Sequence, residues 1–269
     1  MIELFDQDIK TNDRQSSKGN QLKWKSANTW YKADYTGYEG LAEYVISNLL
    51  KKSTLDASEF VVYELEQIGY KSVRYNGVKC ENFLENNMQL ITLERLFKNY
   101  FNQSLTESLW KIHDIKERFL FLTSQVERIT GLSDFGIYLN KLLTIDALFL
   151  NEDRHMHNIA VLMDEDGRFK LCPIFDQGGS LLSDTTMDYP LDIDIFHGID
   201  MVKSKTISQS FYEQLVASEE VCGTNIHFHF NARDIEEVTS AATIYDADIR
   251  NRVGDIILEQ CRRYRYLFD

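Results

Sequence analysis

One stretch constrains this chain more than any other: NEDRHMHNIAVLMDEDGRFKLCPIFDQGG, from Asn151 to Gly179. It follows "DFGIYLNKLLTIDALFL", whose apolar residues recur at three-to-four spacing and predict a helix. Within it, "IAVLM" and "RFKLCPIF" flank "DEDG", a hairpin turn signal. A hairpin returns its two ends to one place. Asn158, in the loop before it, and Asp176, just past it, are therefore expected to converge, with Asp153 standing nearby. Their side-chain oxygens suit Mg²⁺, which prefers hard oxygen ligands and keeps positions for water and phosphate. His155 and His157 in the same loop offer a different chemistry, a zinc or manganese hydrolase built on Asp153, His155 and His157. Taken alone, Asp153 and Asn158 are also what a helix cap or a turn uses.

The rest of the chain falls into two parts by pattern. "QLKWKSANTWYKAD" reads as two short strands about the turn "SAN". "TGYEGLAEYVISNLLKK" carries a helical stripe of Leu41, Tyr44, Val45 and Leu49. "EFVVYELEQIGYKSVRY" and "GVKCENFL" read as strands. From about Gln89 the pattern turns helical, through "LITLERLFKNYF", "ESLWKIHDIKERFLFLTSQVERI" and, after Asp188, "SQSFYEQLVAS", "ARDIEEVTSAAT" and "ADIRNRVGDIILEQCRRYRYLF". "HFHF", His227 to Phe230, reads as an ordinary edge strand, with two histidines on one face and no third metal ligand in sight. The expected fold class is α+β, a small β-rich lobe over residues 1–84 and a larger helical lobe over 85–269, with the acid-bearing hairpin in the latter. Only two prolines and no low-complexity linker interrupt the chain.

The net charge of -13 over 269 residues argues against general nucleic-acid binding, because phosphate backbones are repelled. No run approaches the roughly 20 apolar residues of a membrane span. The acidic start "MIELFDQDIK" is not a classical signal peptide. The four cysteines, Cys80, Cys172, Cys222 and Cys261, form no CxxC pair and read as reduced thiols. Cytoplasm is the expected location, with secretion lacking a signal peptide left open.

The order of the polar residues fits phosphoryl transfer. In the protein-kinase template a catalytic-loop Asp accepts the substrate hydroxyl proton, an Asn five residues on binds metal, and an Asp-x-Gly binds metal again. Asp153, Asn158 and "DQG" at Asp176 occur in that order and at that spacing. A strand lysine must hold the phosphates, and a helix acid must hold the lysine. Lys32 ends the strand "TWYK"; Glu39 and Glu43 lie on the next helix. "DRQSSKGNQLKWK", with Gly19, supplies a phosphate-covering loop of Ser16, Ser17, Lys18, Gly19 and Asn20, although it is no G-x-G-x-x-G.

"SSKGNQLK", "TWYKAD", "YEGLAEYVISNLL", "NEDRHMHN" and "IFDQGG" together resemble the HipA-type serine/threonine kinases, in the compact form of cell-translocating kinase A. The "DRHxxN" signature is shared with phosphatidylinositol kinases, which makes a lipid kinase a variant of the reading. The resemblance runs from about residue 14 to residue 180. It implies a bilobal protein-kinase-like fold and an ATP- and Mg²⁺-dependent protein kinase, toxin-like in some members. Asp153 would be the catalytic base, Lys32 the ATP-phosphate ligand, and Asn158 and Asp176 the magnesium ligands. Glu39 is expected, from the family register, as the partner of Lys32. His155 is expected to fix the catalytic loop. Ser16 falls where such kinases carry an autophosphorylated loop serine. The implied partners are a protein substrate and an antitoxin or other inhibitor. Two rivals stand beside it: the metal-dependent hydrolase and a non-catalytic kinase-like binding module.

Overall fold

A computed structural model of the chain describes residues 1–9, 21–85 and 87–268. Its first sheet gathers strands β1 (Ile2–Glu3), β2 (Lys23–Ser26), β3 (Thr29–Ala33), β4 (Glu64–Tyr70) and β5 (Val73–Glu81), with helix α1 (Glu39–Leu50) inserted after β3. The spatial order is β1-β4-β5-β3-β2. Only β1–β4 is parallel; the other pairs are antiparallel. The β2–β3 connection is Ala27-Asn28, so Ser26 faces Thr29 and, three pairs on, Lys23 faces Lys32. Directly opposed residues share a face of the sheet, which puts both lysines on one side. The stretch "EFVVYELEQIGYKSVRY" is broken into β4 and the start of β5 by a two-residue turn at Lys71-Ser72. Both residues have positive φ, 50° and 64°, the geometry of a type I′ hairpin turn.

Strand β6 (Gln89–Thr92) begins the second sheet, followed by helices α2 (Leu93–Phe101), α3 (Leu105–Trp110), α4 (Ile115–Thr130) and α5 (Phe135–Phe149), then strands β7 (Ala160–Met163) and β8 (Phe169–Leu171). Helical periodicity from Gln89 onward is thus corrected over the first four residues. Gln89–Thr92 pair antiparallel with Met163–Ala160, and Thr92 then caps α2 by accepting from the Arg95 amide. β7 and β8 form the expected hairpin, with Val161 opposite Leu171. Its turn closes as the Asp164 carboxylate accepts from the Arg168 amide, with Gly167 at φ +77°. Helices α6 (Ile195–Met201), α7 (Phe211–Cys222), α8 (Ala232–Ala241) and α9 (Ala247–Arg263) complete the chain. "HFHF" is not an edge strand of either sheet: Phe228 makes only isolated bridges to Ser53 and Phe268. Phe228 and Phe230 are buried and stack around Phe149. No described helix is long and apolar enough to cross a membrane.

Helix α5 is buried along nearly its whole length, from Phe135 to Phe149. A helix apolar on all sides is one enclosed by others, and α5 forms the axis of the main core. It delivers the Asn151–Asn158 loop from that rigid axis. Helix α1 is fastened at both ends. Before it, the Thr36 carbonyl accepts from the amides of Thr185 and Thr186, and the Tyr38 amide donates to the Ser183 carbonyl. Gly37 lies so close to Ser183 that a Cβ would sit 1.9 Å from its carbonyl oxygen. After it, the Thr54 amide donates to His227 and the His229 amide to Lys52.

Candidate active site

The site lies where the Lys32 face of the first sheet, helix α1 and the two ends of the β7–β8 hairpin meet. Lys32 Nζ is 2.5 Å from Glu43 Oε1 and 2.7 Å from Asp176 Oδ1, and sits over the Tyr63 ring at 5.2 Å from its centroid. Glu43 is buried. Its other oxygen, Oε2, accepts from the Gln177 amide at 2.9 Å. One carboxylate therefore holds both the strand lysine and the backbone of the D-Q-G turn. Burial by itself would depress the Lys32 ammonium; the charges of Asp176 and Glu43 outweigh it and hold the group well above its usual pKa. Burial would likewise raise the Asp176 carboxyl, but Lys23, Lys32 and Arg154 drive it far below the ordinary carboxylate range. Lys23 contributes from 3.9 Å. Asp176 adopts φ 63°, a left-handed conformation that Asp tolerates better than most residues.

The expectation that Glu39 partners Lys32 is corrected. Glu39 is the first residue of α1 and turns back over the helix start. Its Oε1 accepts from the Thr36 amide and hydroxyl, both at 2.8 Å, and its Oε2 accepts from Tyr35 and Gly37 amides at 3.2 Å. Backbone amides gathered at a helix N-terminus attract a carboxylate. The lysine is left to Glu43, one turn further in.

The loop after α5 is tied together by Arg154, a fully buried side chain. Its guanidinium binds Asp146 of α5, with Nε at 2.9 Å from Oδ2, while Nη1 donates to the carbonyls of Asn158 at 3.1 Å and Phe175 at 2.9 Å. Asn158 and the residue before Asp176 thus meet on one guanidinium, and the two hairpin ends converge. Asn151 adds a second tie, its amide nitrogen donating to the Asp176 carbonyl at 3.2 Å and to Gln177 Oε1 at 3.0 Å. Glu152 accepts from the Tyr189 hydroxyl at 3.0 Å. Gly179 packs on Asp153; a Cβ there would come within 2.7 Å of the Asp153 Cβ.

Asp153 is approached by Asn158, His155 and Lys205. Asn158 Nδ2 donates to its carbonyl at 2.9 Å and lies 3.4 Å from its Oδ2. Its Oδ1 faces His155 Nε2 at 3.9 Å and Lys205 Nζ at 4.0 Å. His155 and His157 meet edge to face with centroids 5.6 Å apart. Among the described residues, no group of three or more His, Cys, Asp or Glu side chains is arranged to hold a metal ion. The loop residues Ser16, Ser17, Lys18, Gly19 and Asn20 lie outside the described residues.

Sequence reasoning missed Lys23, Arg154, Asn151 and Lys205. Lys23 was within reach, because a two-residue turn at Ala27-Asn28 fixes its register against Lys32. Arg154 sits inside the quoted motif but its partner Asp146 is eight residues back on α5. Lys205 belongs to no motif.

No protein-family model and no curated protein matches the chain. Its fold does match solved structures. The proinflammatory kinase CtkA of Helicobacter pylori superposes with a TM-score of 0.59 over 97% of this chain and 94% of that one, at 15% identity. HipA of Shewanella oneidensis MR-1, solved with HipB and operator DNA, superposes with a TM-score of 0.50 over 90% of this chain at 13% identity. The chain spans 59% of that HipA. The fold is that of the HipA-like kinases, a curled β-rich N-terminal part joined to a helical C-terminal part.

Proposed function

We propose that this chain is an ATP- and Mg²⁺-dependent protein serine/threonine kinase of HipA type, with lobes over 1–84 and 85–269. The observation that carries the reading is the double use of Glu43, which holds Lys32 through one oxygen and the Gln177 amide through the other. That arrangement sets a cation and an acid at one cleft wall, with Asp153 and Asn158 opposite. It is what phosphoryl transfer asks of a protein, positioning and electrostatics with little covalent chemistry.

The donor set fits the cofactor. Asn158 and Asp176 offer hard oxygens on converging backbones, and Asp176 is kept ionised by the lysines and Arg154. A metal at Asp176 must share or displace the direct Lys32 contact. Bound Mg²⁺ supplies charge neutralisation across the phosphates. Lys32 would then turn to the ATP phosphates while Glu43 keeps it oriented. Asp153 takes the proton of the incoming hydroxyl, and Asn158 steadies the Asp153 backbone. His155 packs beside Asp153 and limits where its carboxylate points.

Ser16 is proposed as an autophosphorylation site, and Ser17 to Asn20 as part of the phosphate-covering loop. A phosphate adds about -1.5 to -2 charge, which next to ATP phosphates would disfavour nucleotide binding. A protein substrate and an inhibitory partner belong to the same proposal; the HipB-bound state of the Shewanella neighbour supports the latter.

The test is incubation with γ-labelled ATP and Mg²⁺, with and without a cell lysate, alongside melting curves. ATP should raise the melting temperature more with Mg²⁺ than with EDTA, since ligands of the native state stabilise it. No ATP-dependent shift at millimolar nucleotide and no labelled protein would refute the kinase reading. Mass spectrometry after the reaction should find Ser16 modified; an active enzyme unmodified at Ser16 and Ser17 would refute the autophosphorylation.

A further inference from the structure

Lys205 approaches the proposed base from an element outside the catalytic loop. Lys205 lies in the segment joining α6 to α7, far in sequence from every motif. Its Nζ is 4.0 Å from Asp153 Oδ1, and its side chain is 42% exposed. The residues around it are not. Ser204, Thr206, Ile207 and Ser208 are all buried. Thr206 donates its hydroxyl to the Arg154 carbonyl at 2.9 Å, Ser204 donates to Gln214 Oε1 at 2.9 Å, and Arg118 donates to the Ile207 carbonyl at 2.8 Å. The segment is therefore fastened to the catalytic loop at the residue next to Asp153, and Lys205 is the exposed residue among these buried ones, its Nζ near the carboxylate.

We propose that Lys205 is a further catalytic residue of the phosphoryl transfer, its ammonium contacting the acceptor hydroxyl and the transferring phosphoryl group beside Asp153. The inference rests on the kinase reading above and adds the third element that the chemistry uses.

Distances support it. Lys205 Nζ lies 4.0 Å from Asp153 Oδ1. A hydroxyl oxygen that donates to Oδ1 at about 2.7 Å and accepts from Nζ at about 2.9 Å closes a triangle on that gap. In the step itself the acceptor oxygen forms a new bond to the γ-phosphorus. The bond from that phosphorus to the β–γ bridging oxygen breaks, and its electron pair leaves on ADP. The hydroxyl proton passes to the Asp153 carboxylate. Lys205 exchanges no proton. It places positive charge where negative charge develops on the acceptor oxygen and on the phosphoryl oxygens, and charge placed in advance at such a point lowers the barrier. Lys32 is committed elsewhere, to Glu43 and Asp176.

The experiment compares the full chain with Lys205→Met, Lys205→Arg and Asp153→Asn. Each is scored for label transferred from γ-labelled ATP in a single turnover, for Mg-ATP affinity and for melting temperature. Lys205→Met should lose about a hundredfold in transfer rate, the scale of removing one preorganised donor. Its Mg-ATP affinity should stay within threefold and its melting temperature within two degrees. Lys205→Arg should recover part of the rate. Transfer by Lys205→Met within threefold of the unmodified chain overturns the role of Lys205 while leaving the kinase reading intact. A rate loss matched by lost Mg-ATP affinity or by a lower melting temperature also overturns it, since Lys205 would then be a structural residue. If the unmodified chain transfers no more label than Asp153→Asn, the kinase reading fails and this inference with it.

Discussion

The two walls of the cleft are built to different tolerances. On the Lys32 wall the polar contacts are short and buried: 2.5 Å to Glu43, 2.7 Å to Asp176 and 2.9 Å from the Gln177 amide to Glu43. On the Asp153 wall Asn158 approaches at 3.4 Å, His155 at 3.9 Å and Lys205 at 4.0 Å. Under the proposed function a metal at Asp176 would open one contact of the first wall, Lys32–Asp176, and leave the Lys32–Glu43 pair in place. The second has its backbone fixed, through Arg154 and Asn151, and the proposed base meets these three side chains at longer range. Contacts of this second kind tighten only in the working complex. Binding and chemistry should therefore be separable by mutation.

The largest separation is expected at Asp153. Asp153→Asn should lower phosphoryl transfer by about 10³-fold, within the range a general base contributes, and change Mg-ATP affinity less than threefold. Calorimetric titration beside a transfer assay measures both; equal losses in the two would erase the distinction between the walls. Next comes Glu43→Ala, which leaves Lys32 with one carboxylate and the Gln177 amide with none. Breaking a buried pair costs about 3 kcal/mol when one partner remains, so urea unfolding should show that loss and ATP affinity should fall with it.

A third test reaches the back of the first wall. Asp34 accepts from the Gly40 amide at 2.6 Å and from the Tyr245 hydroxyl at 2.8 Å. Burial pushes its carboxyl up to about 8, the neighbouring Glu39 charge adding to the effect against those hydrogen bonds. The folded state then holds a proton that the unfolded chain releases near pH 4. Stability contributed by Asp34 is complete below about pH 4 and is lost as pH rises toward 8. Asp34→Asn should remove that slope and stabilise the chain at pH 8, read as a flatter melting-temperature profile between pH 5 and 8. An unchanged profile would place the charge elsewhere. The smallest effect is expected at Glu39. Glu39→Ala should cost about 1 kcal/mol, the worth of a helix cap, and leave Mg-ATP affinity unmoved. A large loss of affinity would return Glu39 to the lysine.

The contrast between Glu39 and Glu43 also marks where the sequence stops being informative. Lys32 on its strand and the β7–β8 hairpin were legible, because two-residue turns and the D-E-D-G signal fix local register. The spacing of Asp153, Asn158 and Asp176 was legible as well. The choice between two glutamates four residues apart was not, because it depends on where α1 starts, and that is set by the Thr36–Thr185 and Tyr38–Ser183 contacts with a segment nearly 150 residues away. β6 was hidden for the same reason: its strand state comes from β7. Lys205 reaches the site through a loop anchored on Arg154, and no local pattern encodes a contact of that kind.

The fastening of α1 has a consequence for small molecules directed at this cleft. Both ends of the helix are hydrogen-bonded to the helical lobe, through Thr36 and Tyr38 before it and Lys52 and Thr54 after it. Each such backbone bond contributes about 1 kcal/mol, and swinging the helix outward would break them together with the Lys32–Glu43 pair. A ligand can select only a conformation that is populated. Compounds that gain selectivity by wedging behind a displaced helix would have to offset that cost, which favours discrimination through the side chains around Lys23, Tyr63 and Asp176.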